Sequence, residues 1–240
     1  MAQQRMIAAI AVLLMAFSVK ANDVTAEIKS RLQTLYPATE FTRVQSSRIK
    51  GVFEVVMGKN IAYTDSDGRY LIFGHLFDMS QQRDLTAELM ESLNRIDIKT
   101  LPIVDAIKTV HGNGERSLFV FSDPDCPYCR KLEEELSNLD DVTIYTFLYP
   151  INELHPEAIH KSRLVWCADD RATAWADLMI NRQLPQSADD CQNPIDQNVA
   201  LARRLGIDAT PTMILGDGSM VQGAILVSEI EALLAKGERE

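Results

Sequence analysis

The run Leu118-Phe119-Val120-Phe121-Ser122 stops at Asp123-Pro124-Asp125, and the next four residues are Cys126-Pro127-Tyr128-Cys129. A short apolar run bounded by turn residues reads as a buried strand, and here the turn opens a helix. Pro127 suits the first helical position, where the backbone N–H it lacks has no intrahelical partner anyway. Cys126 thereby becomes the N-cap, its sulfur facing the free amides of the first turn and the positive end of the helix dipole. A thiolate is stabilised there, which predicts a lowered pKa and a nucleophile at neutral pH. Cys129 sits one turn further in, close enough to close a disulfide. These residues describe a dithiol–disulfide redox centre at a strand–turn–helix junction.

What surrounds that centre depends on the compartment. Met1–Ala21 reads as a secretory signal peptide: Arg5 gives a weakly basic start, Met6–Phe17 is apolar, and Val19-Lys20-Ala21 ends in a small residue before Asn22. The apolar run is too short for a membrane span, so the expected product is a soluble exported protein. Beyond Ala21 the chain carries 22 basic against 34 acidic side chains, a net charge of −12, which argues against nucleic acid or anionic lipid as a partner.

The cysteines number four: Cys126, Cys129, Cys167 and Cys191. In an exported protein an even count implies disulfides, and four allow three connectivities. The short separation most economically pairs Cys126 with Cys129, leaving Cys167 with Cys191. A loop of about 25 residues is worth roughly 3.5 kcal/mol and a four-residue loop about 1.8, so the longer bridge reads as structural and the shorter as easily reduced. One zinc held by all four is the rival; zinc sites usually show a second closely spaced pair, which Cys167 and Cys191 do not form. No metal site is expected.

Val24–Leu35 has apolar residues at helical spacing and ends at Tyr36-Pro37. Phe41–Val44 and Gly51–Met57 read as strands. A hairpin runs from Asn60–Thr64 through Asp65-Ser66-Asp67-Gly68 to Arg69–Phe73. Calcium at those aspartates would need Gly and Glu where the chain has Tyr70 and Leu76; turn chemistry accounts for them. This small α+β block has no cysteine, and a unit so small gains by pairing with a second copy. Asp84–Arg95 is a helix with a narrow Leu85, Leu89, Leu93 stripe; Pro102 interrupts the pattern beyond it, and residues 110–114 read as a turn. The expected organisation is a signal peptide at 1–21, an N-terminal dimerisation domain at 22–84, a linker helix and connector at 85–114, and a catalytic domain at 115–240. In the last block a strand at Ser117–Ser122, the cysteine helix and a strand at Val142–Tyr149 make a right-handed βαβ unit. Helices at Pro156–Ala168, Arg171–Asn181 and Ile195–Leu205 come next. Then come a hairpin, Thr212–Leu215 with Met220–Gly223, and a last helix at Val227–Lys236. That order is the α/β thioredoxin-like arrangement with a helical insertion.

Three segments carry a resemblance: Phe121–Cys129, Val165-Trp166-Cys167-Ala168-Asp169-Asp170, and Gly206-Ile207-Asp208-Ala209-Thr210-Pro211. They resemble the DsbC/DsbG family of periplasmic disulfide isomerases. Tyr63–Gly68 and Gly74–Asp78 look like that family's N-terminal domain, so the resemblance covers nearly all of the chain beyond Ala21. It implies a periplasmic V-shaped homodimer in which cystatin-like N-terminal domains pair and thioredoxin-like domains face a shared apolar cleft. It implies that Cys126 attacks and Cys129 resolves, and that Pro127 and Tyr128 belong to the active-site loop. Thr210 and a cis Pro211 would lie opposite, exposing backbone on which an extended substrate can pair. Cys167–Cys191 would be the structural disulfide. The implied partners are misfolded disulfide-containing exported proteins and a DsbD-type membrane reductase that keeps the dithiol reduced, with no prosthetic group. The Pro-Tyr dipeptide is nearer the DsbG branch, whose members point to the alternative of a dimeric chaperone or thiol-protecting reductase.

Other residues read more plainly. Asp125 should raise the Cys126 pKa while Arg130 and Lys131 oppose it. His75, His111, His155 and His160 are scattered and read as solvated or capping. Trp166 and Trp175 read as core or interface residues, and Met79, Met90, Met213 and Met220 chiefly as gap-fillers in the core, with the lining of a promiscuous apolar cleft as the alternative. Tyr128 is either a packing residue or a substrate contact.

Overall fold

The computed structural model describes residues 24–58 and 60–237; the signal peptide expected at 1–21 lies outside them. The described chain divides into two compact units, with the boundary in the sequence between Asn94 and Arg95.

In the first unit a helix, α1 (residues 24–35), precedes four strands: β1 (Phe41–Ser46), β2 (Val52–Met57), β3 (Asn60–Asp65) and β4 (Leu71–Phe73). They form an antiparallel meander in chain order. Ile28 and Leu32, one turn apart on α1, pack on Phe41 and Val55 as a small core. The aspartate-rich turn is held by Asp65: its carboxylate accepts the Arg69 amide at 2.8 Å, and its carbonyl accepts the Gly68 amide. A short ribbon, β5 (Phe77–Asp78) with β6 (Arg83–Asp84), leads into α2 (Leu85–Asn94). Asp84 accepts the Ala87 amide at 2.9 Å, an N-cap. Buried Thr86 bonds to the Tyr63 hydroxyl and accepts the Leu76 amide, fixing this helix on the strands through polar contacts rather than through its leucines.

The second unit is a five-stranded sheet in the order β11-β10-β8-β9-β7. Its strands are β7 (Ile107–His111), β8 (Arg116–Ser122), β9 (Val142–Leu148), β10 (Thr212–Leu215) and β11 (Met220–Gln222). β8 and β9 are parallel, and every other pairing is antiparallel. The crossover between them is α3 (Pro127–Leu136). Further helices are α4 (Ala158–Cys167), α5 (Arg171–Met179), α6 (Ile195–Leu205) and α7 (Val227–Gly237).

Side chains on a strand alternate between faces. Leu118 and Val120 of β8 therefore join Leu132 and Leu136 of α3 and Ile230 and Leu234 of α7 on one side. Phe119 and Phe121 join Phe147, Leu201 and Ala202 on the other. A central strand covered on both faces needs apolar residues at successive positions, and that is why the sequence reads as a continuous run. Gly206, at φ 71°, ends α6 in the left-handed conformation.

The sequence expectation of a connector from 85 to 114 gives way here. Ile107–His111 is a strand, paired antiparallel with β9 in the register Ile107↔Thr146, so the sheet begins well before Ser117. An edge strand with Lys108 facing out between buried and half-buried neighbours has too few apolar positions to stand out beside Gly112 and Gly114. Residues before it are also anchored in this unit. The Ile96 amide donates to the Gly218 carbonyl at 2.8 Å, Arg95 pairs with Asp217 at 3.4 Å, and Leu101 is buried.

Candidate active site around the paired cysteines

β8 runs into the turn Asp123-Pro124-Asp125 and delivers Cys126 to the start of α3. Cys126 is the N-cap, with Pro127 at the first helical position, and its sulfur accepts the Cys129 amide at 3.4 Å. Across from it, the Thr210 carbonyl lies 3.4 Å from the same sulfur, and the Thr210–Pro211 peptide is cis. Pro211 precedes β10, whose Thr212 pairs with Phe121 of β8; this pairing holds the proline loop against the helix start. Both cysteines are buried free thiols, while Tyr128 between them is 65% exposed.

The two sulfurs are driven apart in acidity. The hydrogen bond from the Cys129 thiol lowers the Cys126 pKa to about 5, burial opposes it, and the Cys129 amide, Thr210 and the Tyr128 amide add to the lowering. Burial, then the bond it gives to Cys126, pushes Cys129 far above the ordinary thiol range, although the Asp123 amide and the Ser122 hydroxyl act against this. At neutral pH the pair is one thiolate, at Cys126, and one thiol, at Cys129.

The sequence expectation that Asp125 opposes Arg130 and Lys131 around this sulfur takes a different form. Asp125 is ion-paired with Lys161 of α4, so its charge is locally met by a residue 36 positions away. One turn beyond Cys129, burial pushes the Glu133 carboxyl up to about 7.

Two residues at the site carry no functional mark in the sequence. Asp123 is fully buried. Its carboxylate accepts the Asp125 amide at 2.8 Å and the Ile151 amide at 2.7 Å, and meets His155 Nδ1 at 3.0 Å. Its own amide donates to the Cys129 sulfur at 3.4 Å. His155 therefore belongs to the dithiol surroundings, contrary to the solvated or capping role expected of it. A charged residue ending an apolar strand was the available signal for Asp123; nothing local marks His155, which arrives from the loop between β9 and α4.

Cys167 and Cys191 are bonded to each other, with Cα atoms 5.8 Å apart. The bridge ties the end of α4 to the loop before α6. Trp166 and Trp175 are both core residues, as is Met213, whereas Met79 is 80% exposed and fills no gap.

The thioredoxin-like domain family matches residues 103–238, and the family described as the disulfide bond isomerase protein N-terminal domain matches residues 19–87. The probable thiol:disulfide interchange protein DsbC of Bordetella pertussis is 38% identical over 218 residues, covering 90% of this chain and 77% of its own length. The thiol:disulfide interchange protein DsbC of Escherichia coli K12 is 25% identical over 232 residues, covering 95% and 94%. Among solved structures, that of a disulfide interchange protein from Neisseria gonorrhoeae is 38% identical with a TM-score of 0.56, matching all of that chain and 58% of this one.

Proposed function

This chain belongs to the DsbC family of thiol:disulfide interchange proteins, and from that we propose that it is a periplasmic thiol–disulfide isomerase acting on misfolded exported proteins. The observation that carries the reading is the split acidity of the pair, with Cys126 ionised near pH 5 beside a Cys129 that keeps its proton. The Cys126 thiolate attacks one sulfur of a wrong disulfide; that S–S bond breaks, the other sulfur leaves as a thiolate, and a mixed disulfide forms. A substrate thiolate then displaces Cys126 and completes the rearrangement, or Cys129 loses its proton, attacks Cys126 and releases the substrate reduced.

The substrate strand lies against Thr210 and Pro211, with exposed Tyr128 and Pro127 at the rim. Isomerisation needs the reduced form, so a membrane reductase of the DsbD type is the partner this chemistry calls for. A homodimer through the first unit accords with its exposed strand β4, where Ile72 and Phe73 are 63% and 69% exposed on an open sheet edge.

The test is refolding of a substrate with scrambled disulfides. The Cys126→Ala, Cys129→Ala double variant should give the uncatalysed rate; catalysis at the wild-type rate refutes the reading. Trapping thiols in cells reports electron flow: an isomerase is found reduced, a net oxidase oxidised. The Pro-Tyr dipeptide favours a second reading, a chaperone or thiol-protecting reductase of the DsbG type. Under that reading the double variant still suppresses aggregation of a client without cysteines.

A further inference from the structure

A fully buried carboxylate beside a thiolate is an electrostatic problem. Like charges in a poorly screened site oppose one another's ionisation, and Asp123 sits where its charge would disfavour an ionised Cys126. Two carboxylates precede the dithiol on the chain, and each meets a cation from elsewhere in the fold. Asp125 meets Lys161 of α4. Asp123 meets His155, whose side chain is 23% exposed and so remains in touch with solvent protons.

We propose that His155 is a positioning residue for the thiol chemistry: as an imidazolium held on Asp123 it cancels the buried carboxylate and so stabilises the Cys126 thiolate. The charged groups around it are Asp123 just after β8, Asp125 in the turn with its partner Lys161 of α4, and Cys126 at the cap of α3. The hydrogen bond to Asp123 holds the His155 pKa above its ordinary value; burial opposes this, and Asp123, Cys126 and Asp125 act on it through their charges. Such an interaction is reciprocal: a thiolate that favours protonated His155 is itself favoured by it. Neither residue between the cysteines, Pro127 or Tyr128, carries a positive charge, and the cation comes from a loop instead.

The inference rests on Cys126 being the ionised cysteine of the proposed reaction, and the test separates the two. Thiolate absorbance at 240 nm is followed against pH in the reduced full chain, and the equilibrium with glutathione is measured at pH 7. In H155Q the Cys126 pKa should rise by about 1, the low end of what one nearby opposite charge produces. The equilibrium constant for reducing the active-site disulfide should fall about tenfold, since each unit lost from a thiolate's pKa depression is a factor of ten. H155K, which restores a cation, should return both values toward wild type. A Cys126 pKa in H155Q at or below the wild-type value overturns the inference, as does an equal rise in H155Q and H155K, which marks a purely structural role. Separately, a Cys126→Ser variant that keeps the low-pH thiolate absorbance would refute the assignment of Cys126 and leave the His155 comparison to be read on the other sulfur.

Discussion

Cys126 and Cys129 share one helical turn and one buried cluster, yet the Cys126 sulfur caps the helix, accepting the Cys129 amide, and the Cys129 sulfur accepts the Asp123 amide behind it. In the native reduced protein, iodoacetamide should therefore modify Cys126 with a midpoint at about pH 5 and leave Cys129 untouched at neutral pH; mass spectrometry of quenched samples reads this. The same depression has a stability consequence. Against an ordinary thiol value of 9.0, the folded thiolate contributes stability that is fully present above that value and is lost as pH falls toward 5. Urea melts should show the reduced protein losing stability relative to Cys126→Ser over that window. The Asp123–His155 pair has the opposite sign: the raised His155 pKa contributes below the ordinary imidazole range and is lost as pH rises through the folded value. Asp123→Ala orphans the half-buried Ile151 and Asp125 amides and should cost about 2 kcal/mol by urea denaturation; a loss under about 0.5 kcal/mol would mean those amides find other partners.

At the scale of elements, the strand–helix junction is local chemistry, and the helix start, its proline and its cap are readable within a few residues. β7 is the contrasting case. Its strand character comes from pairing with β9, which no window of sequence contains. The turn between β10 and β11 shows how tightly the segment before β7 is bound. Gly218 has φ 84°, and a Cβ there would lie 2.2 Å from the Ile96 carbonyl oxygen. Gly218→Ala should therefore cost about 2 to 3 kcal/mol. Gly216→Ala, two residues earlier, would meet nothing nearer than the Ser117 carbonyl oxygen at 3.7 Å and should change stability by no more than about 0.5 kcal/mol. Equal losses at the two glycines, measured by thermal melts, would show that the Ile96 approach is not what requires glycine.

For the molecule as a whole, the Cys167–Cys191 bridge spans 24 positions of the helical region. Replacing both by Ala should cost about 3.5 kcal/mol, without abolishing Cys126 alkylation if the bridge is purely structural. Sedimentation at micromolar concentration should give a dimer; a monomer would remove the homodimer from the proposed function. Composition and order made much of this legible. Cys126 and Cys129 fix a redox pair because three residues of helix bring two sulfurs together wherever that helix lies. The double-faced run from Leu118 to Phe121 fixes a central strand because alternating side chains must be buried on both sides. The remainder needed the tertiary fold. Thr210 meets Cys126 across 84 residues, His155 meets Asp123 across 32, and Lys161 meets Asp125 across 36. Charge and hydrogen bonding act through space, so which cation meets which buried carboxylate is decided only when the sheet has set β8, β9 and β10 side by side.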